Sequence, residues 1–211
     1  PHFPPSSPPP PPDIPRPSFS CIDAGTSSSY RFSDTVAHPN SDLMVFSPHN
    51  SDCVGTFDVS SSTFACIDIS AHFQPSAEPM LFNEAVLHPS SGLVVFAPKT
   101  ATCVGTFNVS SSTFVCYHIG SVGGSEEWKF VGAAWHPSSD LIVFTPSGAN
   151  CVGLFNVSSN NFTCTEIPRM ADVLSARPDK PEYNKFGHAV WHPSSDLIVF
   201  APVHAHCVGT F

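Results

Sequence analysis

Eight cysteines recur at a fixed spacing in this 211-residue chain and are its residues best suited to covalent chemistry. Four of them follow the histidine of an H-P dipeptide by 15 residues, and three of those four have a second cysteine 13 residues further on. Zinc sites commonly contain C-x-x-C pairs, and the chain has none. The spacing therefore predicts disulfides, with free core thiols as the alternative. The predicted pairs are Cys53–Cys66, Cys103–Cys116, Cys151–Cys164 and Cys21–Cys207.

One position of a repeated segment could bind a metal ion. Asp34, Glu84, Gly132 and His188 occupy this position in the successive copies. If the segment lines a central channel, two carboxylates and an imidazole converge there and could hold a cation such as calcium. Solvated polar lining is the alternative, and no other cofactor is expected.

Histidines form two further candidate groups. His204 and His206 are alternate residues of one loop and could face zinc or copper together, but no third ligand is evident. The histidine of each H-P dipeptide recurs in every copy, which favours a turn-stabilising hydrogen bond to the following Ser or Asp over metal binding. These histidines are His38, His88, His136 and His192.

Catalytic signatures are lacking. The chain contains no G-x-S-x-G, H-E-x-x-H or P-loop motif. Glu126 and Glu127 are adjacent in a loop rather than separated as glycosidase carboxylates are. No serine is singled out beside a base. We therefore predict that the protein is not an enzyme.

The elements that position these residues repeat four times along the chain. Each copy reads as four short strands, a to d: strand a runs from Phe32 to His38, strand b is the apolar run Leu43 to Phe46, and strands c and d each contain one cysteine. The fourth copy lacks strand d, and S-F-S-C-I-D at 18–23 matches T-F-A-C-I-D at 63–68. These features predict an all-β, four-bladed β-propeller closed by the N-terminal strand, which completes the last blade, with one disulfide per blade.

The predicted domain organisation follows the repeat. Residues 1–17 form a Pro-rich arm of extended polyproline II character, and residues 18–211 form the propeller. The predicted blades span about 30–70, 80–120, 128–168 and 186–211 together with 18–24. A short helical turn is possible at 169–176. In the hairpin of strands c and d, a turn around Val59 and Ser60 places Cys53 opposite Cys66 and Gly55 opposite Phe64, whose ring would cover the glycine.

The repeat pattern F-x-x-A-V-x-H-P-x-x-D-L-I-V-F-A-P-x-x-x-x-C-V-G-x-F resembles the blade repeats of kelch-like and other propeller proteins, including algal ones. The predicted closure by a disulfide between first and last blades resembles the hemopexin-type four-bladed propeller. The resemblance is architectural and covers residues 18–211, and haem or protease partners are not carried over from it. A piece of a larger propeller is the alternative.

The composition of the chain indicates its cellular compartment and the partners that it does not bind. The formal net charge is −9, and the eight Lys and Arg residues form no cluster in the sequence, which argues against nucleic acid. No apolar run is long enough to span a membrane. Disulfides indicate an oxidising compartment, and the sequons at Asn108, Asn156 and Asn161 agree with secretion, with an organelle lumen as the alternative.

Differences among the four copies concentrate in the b–c and d–a connections, which a propeller places on one rim. We therefore predict an extracellular structural or adhesive module, a glycosylated subunit of a larger assembly or filament. Its expected partners are other copies of itself or other structural proteins, reached through the Pro-rich arm, and glycans. A module that binds glycans or metal ions with the variable rim is the alternative function.

Overall fold

The computed structural model describes residues 19–24, 31–73, 80–122, 128–167 and 184–211. The Pro-rich arm, the helical turn predicted at 169–176 and the Glu126–Glu127 pair lie outside these residues. In the described part the regular structure is β-strand, apart from one 3-10 turn at Ser70–His72. No described helix is long and apolar enough to cross a membrane.

The described residues contain fifteen strands, which are grouped into four antiparallel sheets, as the repeat predicts. The first sheet contains β1 (Phe32–Ala37), β2 (Leu43–Pro48), β3 (Cys53–Asp58) and β4 (Thr63–Asp68). The second contains β5 (Phe82–His88), β6 (Leu93–Pro98), β7 (Cys103–Asn108) and β8 (Thr113–His118). The third contains β9 (Phe130–His136), β10 (Leu141–Pro146), β11 (Cys151–Asn156) and β12 (Asn161–Glu166). The fourth has three strands, β13 (Phe186–His192), β14 (Leu197–Pro202) and β15 (Gly209–Thr210).

Successive sheets pack face to face, and their two faces differ in composition. One face, called here the valine face, packs on the opposite face of the next sheet, called here the phenylalanine face. The residues of the valine faces are Val36, Val45 and Val54 in the first sheet, Val86, Val95 and Val104 in the second, Ala134, Val143 and Val152 in the third, and Val190, Val199 and Val208 in the fourth. The phenylalanine faces carry Phe32, Phe46 and Phe64, then Phe82, Phe96 and Phe114, then Phe130, Phe144 and Phe162, then Phe186 and Phe200. The first strands of neighbouring sheets also contact one another, so they form the inner wall of the assembly.

A belt of backbone hydrogen bonds connects all four sheets at one end. We call this end the loop rim; it holds each connection between the second and third strands and the residues that precede each first strand. The bonds run in a series of N–H to C=O contacts of 2.8 to 3.3 Å. The donor and acceptor pairs are His49 to Arg31, Leu81 to His49, Lys99 to Leu81, Lys129 to Lys99, Ser147 to Lys129, Lys185 to Ser147 and Val203 to Lys185.

The ring closure predicted from the sequence is not confirmed by the described residues. Within the described residues, β13 makes no packing with β1 comparable to that between the other inner strands, and the belt ends at Val203. Residues 19–24 lie outside any strand, so the fourth sheet lacks its outer strand. The structure is therefore an arc of four propeller blades.

Three of the four predicted disulfides are present. Cys53–Cys66, Cys103–Cys116 and Cys151–Cys164 each join the third and fourth strands of one sheet, with Cα atoms 5.4 to 5.5 Å apart. The fourth prediction differs from the structure, because Cys21 and Cys207 are both exposed free thiols. Their bond depends on ring closure, and the arc leaves the two cysteines unpaired.

The predicted hairpin register is wrong by two residues. Cys53 pairs with Asp68 and Gly55 pairs with Cys66, so each disulfide joins residues on the diagonal rather than directly opposite. The cause is a four-residue turn between the two strands. Ser62 in this turn has a φ of 55°, and the Asp58 carboxylate caps the turn by accepting a hydrogen bond from the Ser60 N–H. The predicted ring over glycine survives this shift: a Cβ on Gly55 would lie 2.8 Å from Phe32 and 3.1 Å from Phe64.

Candidate functional site

The residues predicted to line a channel instead connect the sheets. A register shift in β1 and β5 lies beside Asp34 and Glu84 and turns each carboxylate toward the next sheet. Asp34 Oδ2 accepts from the Ala85 N–H at 2.9 Å, and Glu84 Oε2 accepts from the Ala133 N–H at 2.9 Å. Both carboxylates therefore satisfy backbone donors across a sheet boundary, which the sequence did not predict.

The predicted channel metal site is not assembled. His188 Nδ1 lies 3.5 Å from Glu84 Oε1, so two of the three proposed ligands meet, but Asp34 faces the Ala85 amide. Gly132 occupies the equivalent position in the third sheet, where there is no room for a side chain. A Cβ there would lie 2.9 Å from Glu84 Oε2 and 2.5 Å from Thr145 Oγ1. No group of three or more His, Cys, Asp or Glu side chains in the described part is placed to hold a metal ion, and this includes His204 and His206. A backbone amide occupies one oxygen of each carboxylate.

Burial raises the pKa of the Glu84 carboxyl above its ordinary value, and the negative charge of Asp34 adds to the rise. The Ala133 N–H and the His188 ring act in the opposite direction without cancelling it. The folded protein consequently binds this proton more tightly than the unfolded chain does.

The histidines of the H-P turns have the structural role that the sequence favours. In all four turns the ring Nδ1 lies 2.8 to 2.9 Å from the hydroxyl of the serine three residues later. This confirms the predicted turn-stabilising hydrogen bond. The serines are Ser41, Ser91, Ser139 and Ser195.

Two of these histidines also connect neighbouring sheets, which the sequence pattern did not indicate. His88 Nε2 lies 3.0 Å from Asp140 Oδ1, and His136 Nε2 lies 3.0 Å from the Asp196 carbonyl oxygen. Asp140 also accepts from the Trp135 indole N–H at 3.2 Å, and this bond is the main cause of a lowered Asp140 pKa. His38 has no equivalent carboxylate opposite it, because Gly92 occupies that position and its added Cβ would lie 3.6 Å from His38 Nε2.

The chain Ser91–His88–Asp140 has the residue types of a hydrolytic triad, which the sequence did not single out. Its geometry is nevertheless that of a brace. His88 is only 1% exposed, and Ser91 Oγ accepts from the Leu93 N–H at 3.3 Å. The same Ser–His pair recurs in every H-P turn, as expected of a repeated structural device rather than a single reactive centre.

The basic residues of the described part all lie on the loop rim, although their spacing in the sequence did not indicate a common location. Arg31, Lys99, Lys129 and Lys185 are all of its Lys and Arg residues, and each belongs to the backbone belt on the loop rim. The three lysines are buried, and Lys129 Nζ donates to the Thr100 carbonyl at 3.1 Å. Their positions in the repeat could have revealed this common location: three directly precede the first phenylalanine of strand a, and the fourth follows the proline that ends strand b.

A tryptophan in an unusual backbone conformation lies on the same rim. Trp128 has a φ of 59°, in the left-handed region that bulky residues seldom adopt, and Met80 and Asn184 share this conformation at the equivalent positions. The Lys99 ammonium lies 4.3 Å from the centroid of the Trp128 ring. Burial lowers the pKa of Lys99, and burial together with the Lys99 charge lowers the pKa of His49. The rim thus combines cations with an aromatic ring at its most variable positions.

The sequons lie at the opposite end of the sheets, in the turns between third and fourth strands. Asn108 Oδ1 and Asn156 Oδ1 cap these turns by accepting from the Ser111 and Ser159 N–H groups. Asn161 is exposed at the start of β12. Asn108 and Asn156 therefore also have a turn-forming role, and glycosylation of all three asparagines stays a prediction.

Comparisons with known proteins bear on the fold. No protein-family model matches the chain, and no curated protein matches it. Its structure is similar to virginiamycin B lyase from Staphylococcus aureus, with 13% identity, a TM-score of 0.61 and coverage of 85% of this chain and 52% of that one. It is also similar to a chain of a nidogen/laminin complex, with 6% identity, a TM-score of 0.58 and coverage of 85% and 60%. A third is an auxiliary nutrient binding protein from Bacteroides ovatus, with 15% identity, a TM-score of 0.55 and coverage of 85% and 38%.

These comparisons define the class of fold as propeller-like and all-β, in agreement with the sequence. The kelch-like and hemopexin-like details of the resemblance find no such support. The chain spans about half the length of the lyase structure. The named proteins include an enzyme and a binding protein, so at these identities the likeness concerns the fold alone.

The cross-sheet bond of His88 predicts unequal effects of equivalent substitutions. We expect H88A to lower the free energy of unfolding by about 2 kcal/mol or more, because it leaves the buried end of a hydrogen-bonded network without its partner. H38A is the matched control, since it removes the same turn bond with no carboxylate across the boundary, and should cost clearly less. Denaturant unfolding measures the loss of stability in each variant. Equal losses would contradict a stabilising role for the bond between His88 and Asp140.

The raised pKa of Glu84 predicts a pH dependence of stability. Because the folded state holds this proton more tightly, its contribution to stability falls as the pH rises from the ordinary Glu value of about 4.3 through the raised pKa. E84Q keeps an acceptor for the Ala133 N–H and removes the titration. The stability of E84Q relative to the natural protein should therefore increase with pH across this window, as measured by melting temperature. A constant difference would show that Glu84 is not perturbed.

Proposed function

We propose that the protein is an extracellular structural or adhesive module, a glycosylated subunit of a larger assembly, whose contact surface is the loop rim. Three disulfides suit an oxidising compartment. The module holds its blades rigidly and presents variable loops on one rim, the usual division of labour between scaffold and binding loops.

One observation carries the proposal: the side chains that could do chemistry connect one sheet to the next. His88 and His136 contact the Asp140 and Asp196 turns of the following sheets, and Asp34 and Glu84 accept from backbone amides across the boundaries. A site that must bind a substrate needs such groups available. Their use in bracing favours a load-bearing role over turnover.

The Pro-rich arm would supply the association of one module with others. Residues 1–17 lie outside the described residues, and the proposal rests on their composition, which favours an extended segment with little ordering entropy left to lose on binding. Such head-to-tail contacts propagate into a filament when they do not close.

Electron microscopy of the protein secreted from eukaryotic cells tests this function. Intact protein should appear as higher assemblies and should lose mass on enzymatic removal of N-glycans. A variant lacking residues 1–17 should remain folded, with the same disulfide map, and no longer form these assemblies. Equal assembly of the truncated and intact proteins would reduce the arm to a linker, and a protein retained in an organelle lumen would support the alternative location.

A glycan-binding module is the second candidate, and the pairing of Lys99 with Trp128 favours it. An aromatic face packs on sugar rings, and the lysines of this rim, although buried, add positive charge that attracts carboxylate or sulfate substituents. The ligand class that this rim fits best is an anionic polysaccharide.

An array of neutral and anionic glycans tests the second candidate. We expect binding to the anionic members, weakened about tenfold or more by W128A and weakened by raised salt. V59S is the matched control, because Val59 is exposed on a turn at the opposite end of the sheets. Binding that is unaffected by W128A, or absent from the whole array, would remove glycan recognition at this rim and leave the structural role.

A further inference from the structure

The side-chain contacts between first strands differ at the boundary between the third and fourth sheets. At the second residue of each first strand, Ser33 Oγ donates to the Asn83 carbonyl oxygen, and Asn83 Nδ2 donates to the Val131 carbonyl oxygen at 2.6 Å. Val131 is the next residue in this series, and its aliphatic side chain has no donor for the Gly187 carbonyl oxygen. This boundary therefore leaves the Gly187 carbonyl without the side-chain donor that the repeat supplies at the two earlier boundaries.

The third residue of the same strands differs in a similar way. Asp34 and Glu84 each accept from a backbone N–H of the next sheet, whereas Gly132 has no side chain to extend toward the fourth sheet. Three oxygen atoms, each from a different sheet, face the space beside this glycine instead. The position of an added Cβ lies 2.5 Å from Thr145 Oγ1, 2.8 Å from the Gly187 carbonyl oxygen and 2.9 Å from Glu84 Oε2.

One of these oxygens belongs to a buried hydroxyl that no described group satisfies. Thr145 is 0% exposed, and its Oγ1 has no hydrogen-bond partner among the described residues. A buried polar group without a partner is destabilising, so a bound atom is expected beside this hydroxyl. The other two oxygens belong to a carbonyl and a carboxylate, which are acceptors only. A cation can bind all three oxygens at once.

The electrostatics of Glu84 favour the same kind of ligand. Burial and the negative charge of Asp34 both raise the pKa of the Glu84 carboxyl, and a cation at Oε2 would offset both effects. Oε2 accepts one hydrogen bond, from the Ala133 N–H, and retains a second lone pair. His188 Nδ1 lies 3.5 Å from the other oxygen, Oε1, and the His188 side chain is 73% exposed, so Oε2 remains for the ion.

We propose that the protein binds a calcium ion here, with Glu84 Oε2, Thr145 Oγ1 and the Gly187 carbonyl oxygen as ligands and water completing the coordination. The ion would lie slightly further from the backbone than the added Cβ, at about 2.3–2.6 Å from each oxygen. Calcium accepts an irregular set of oxygens, whereas magnesium requires a nearly octahedral one. This ligand set shares only Glu84 with the one predicted from the sequence, since neither Asp34 nor His188 is a ligand.

The ligand set also indicates the strength and the effect of binding. A single carboxylate predicts weak binding, with a Kd of about 10⁻⁴–10⁻³ M, as in extracellular calcium-binding modules. The three ligands belong to β5, β10 and β13, which lie in three successive sheets. Bound calcium would therefore join these sheets at the boundary where the side-chain contacts of the repeat are missing.

Thermal unfolding of the full chain, freed of metal ions with a chelator and then supplied with calcium chloride, tests the site. Calcium should raise the Tm of the natural protein. T145V keeps the shape of the side chain and removes the hydroxyl. Without calcium, T145V should be at least as stable as the natural protein, because it removes an unsatisfied buried group. It should need about tenfold more calcium, or more, for the same rise in Tm.

S47A is the matched control. Ser47 is the equivalent residue of the first sheet, is also 0% exposed and has an Oγ without a partner among the described residues, but the third residue of its first strand is Asp34 rather than a glycine. S47A should respond to calcium as the natural protein does. Magnesium chloride at the same concentrations controls for ionic strength and should raise the Tm less.

Three results would overturn the proposal. The first is a Tm of the natural protein that calcium does not raise, and the second is an equal rise with magnesium. The third is a T145V variant that is destabilised equally with and without calcium, which would show that a water molecule satisfies Thr145. None of these results affects the glycan array or the assembly seen by electron microscopy, so the proposed function is tested separately.

Discussion

The packing of a valine face on a phenylalanine face is the interaction on which this structure depends. A single four-stranded sheet of this size cannot bury its own apolar surface, so each blade is stable only against a neighbour. Rings of one sheet cover the glycine of its own third strand while filling the space above the small β-branched residues of the sheet before it. This arrangement sets both the spacing and the angle between blades, and every polar contact across a boundary is built on it.

The polar contacts between neighbouring sheets fix the register in which the sheets pack, which apolar contact alone would not do. His88 reaches forward to Asp140, and Asp34 reaches forward to the Ala85 amide, so each sheet recognises the next one in a single register. The backbone belt repeats the same direction at the loop rim. Imidazoles and carboxylates in a repeat protein therefore need a test of their partners before a metal or a reaction is assigned to them. Here the partners are amides, hydroxyls and turns of the chain itself.

Strand positions, the three local disulfides and the His–Ser bonds could be predicted because each depends on residues close together in the sequence. The diagonal position of Cys53 and Cys66 could not, because it depends on one left-handed residue, Ser62, that lengthens the turn. Ring closure was not confirmed for a different reason: matching termini indicate which strand could complete a sheet but not whether the first and last sheets of the chain meet. The common location of the basic residues on the loop rim was missed because Lys99 and Lys129 are distant in sequence and are connected by a backbone hydrogen bond of the belt.

The position of the three disulfides also determines how the chain would respond to a pulling force. Each bond ties an outermost strand, which has a neighbour on one side only, to the strand beside it. Tension applied along the backbone passes through the sulfur atoms and bypasses the enclosed turn. The hairpin cannot be unzipped, and the extensible length of each of the first three blades is shortened by the residues between its cysteines. A tensile load would therefore separate these blades from one another before it could unravel the outer edge of any of the three.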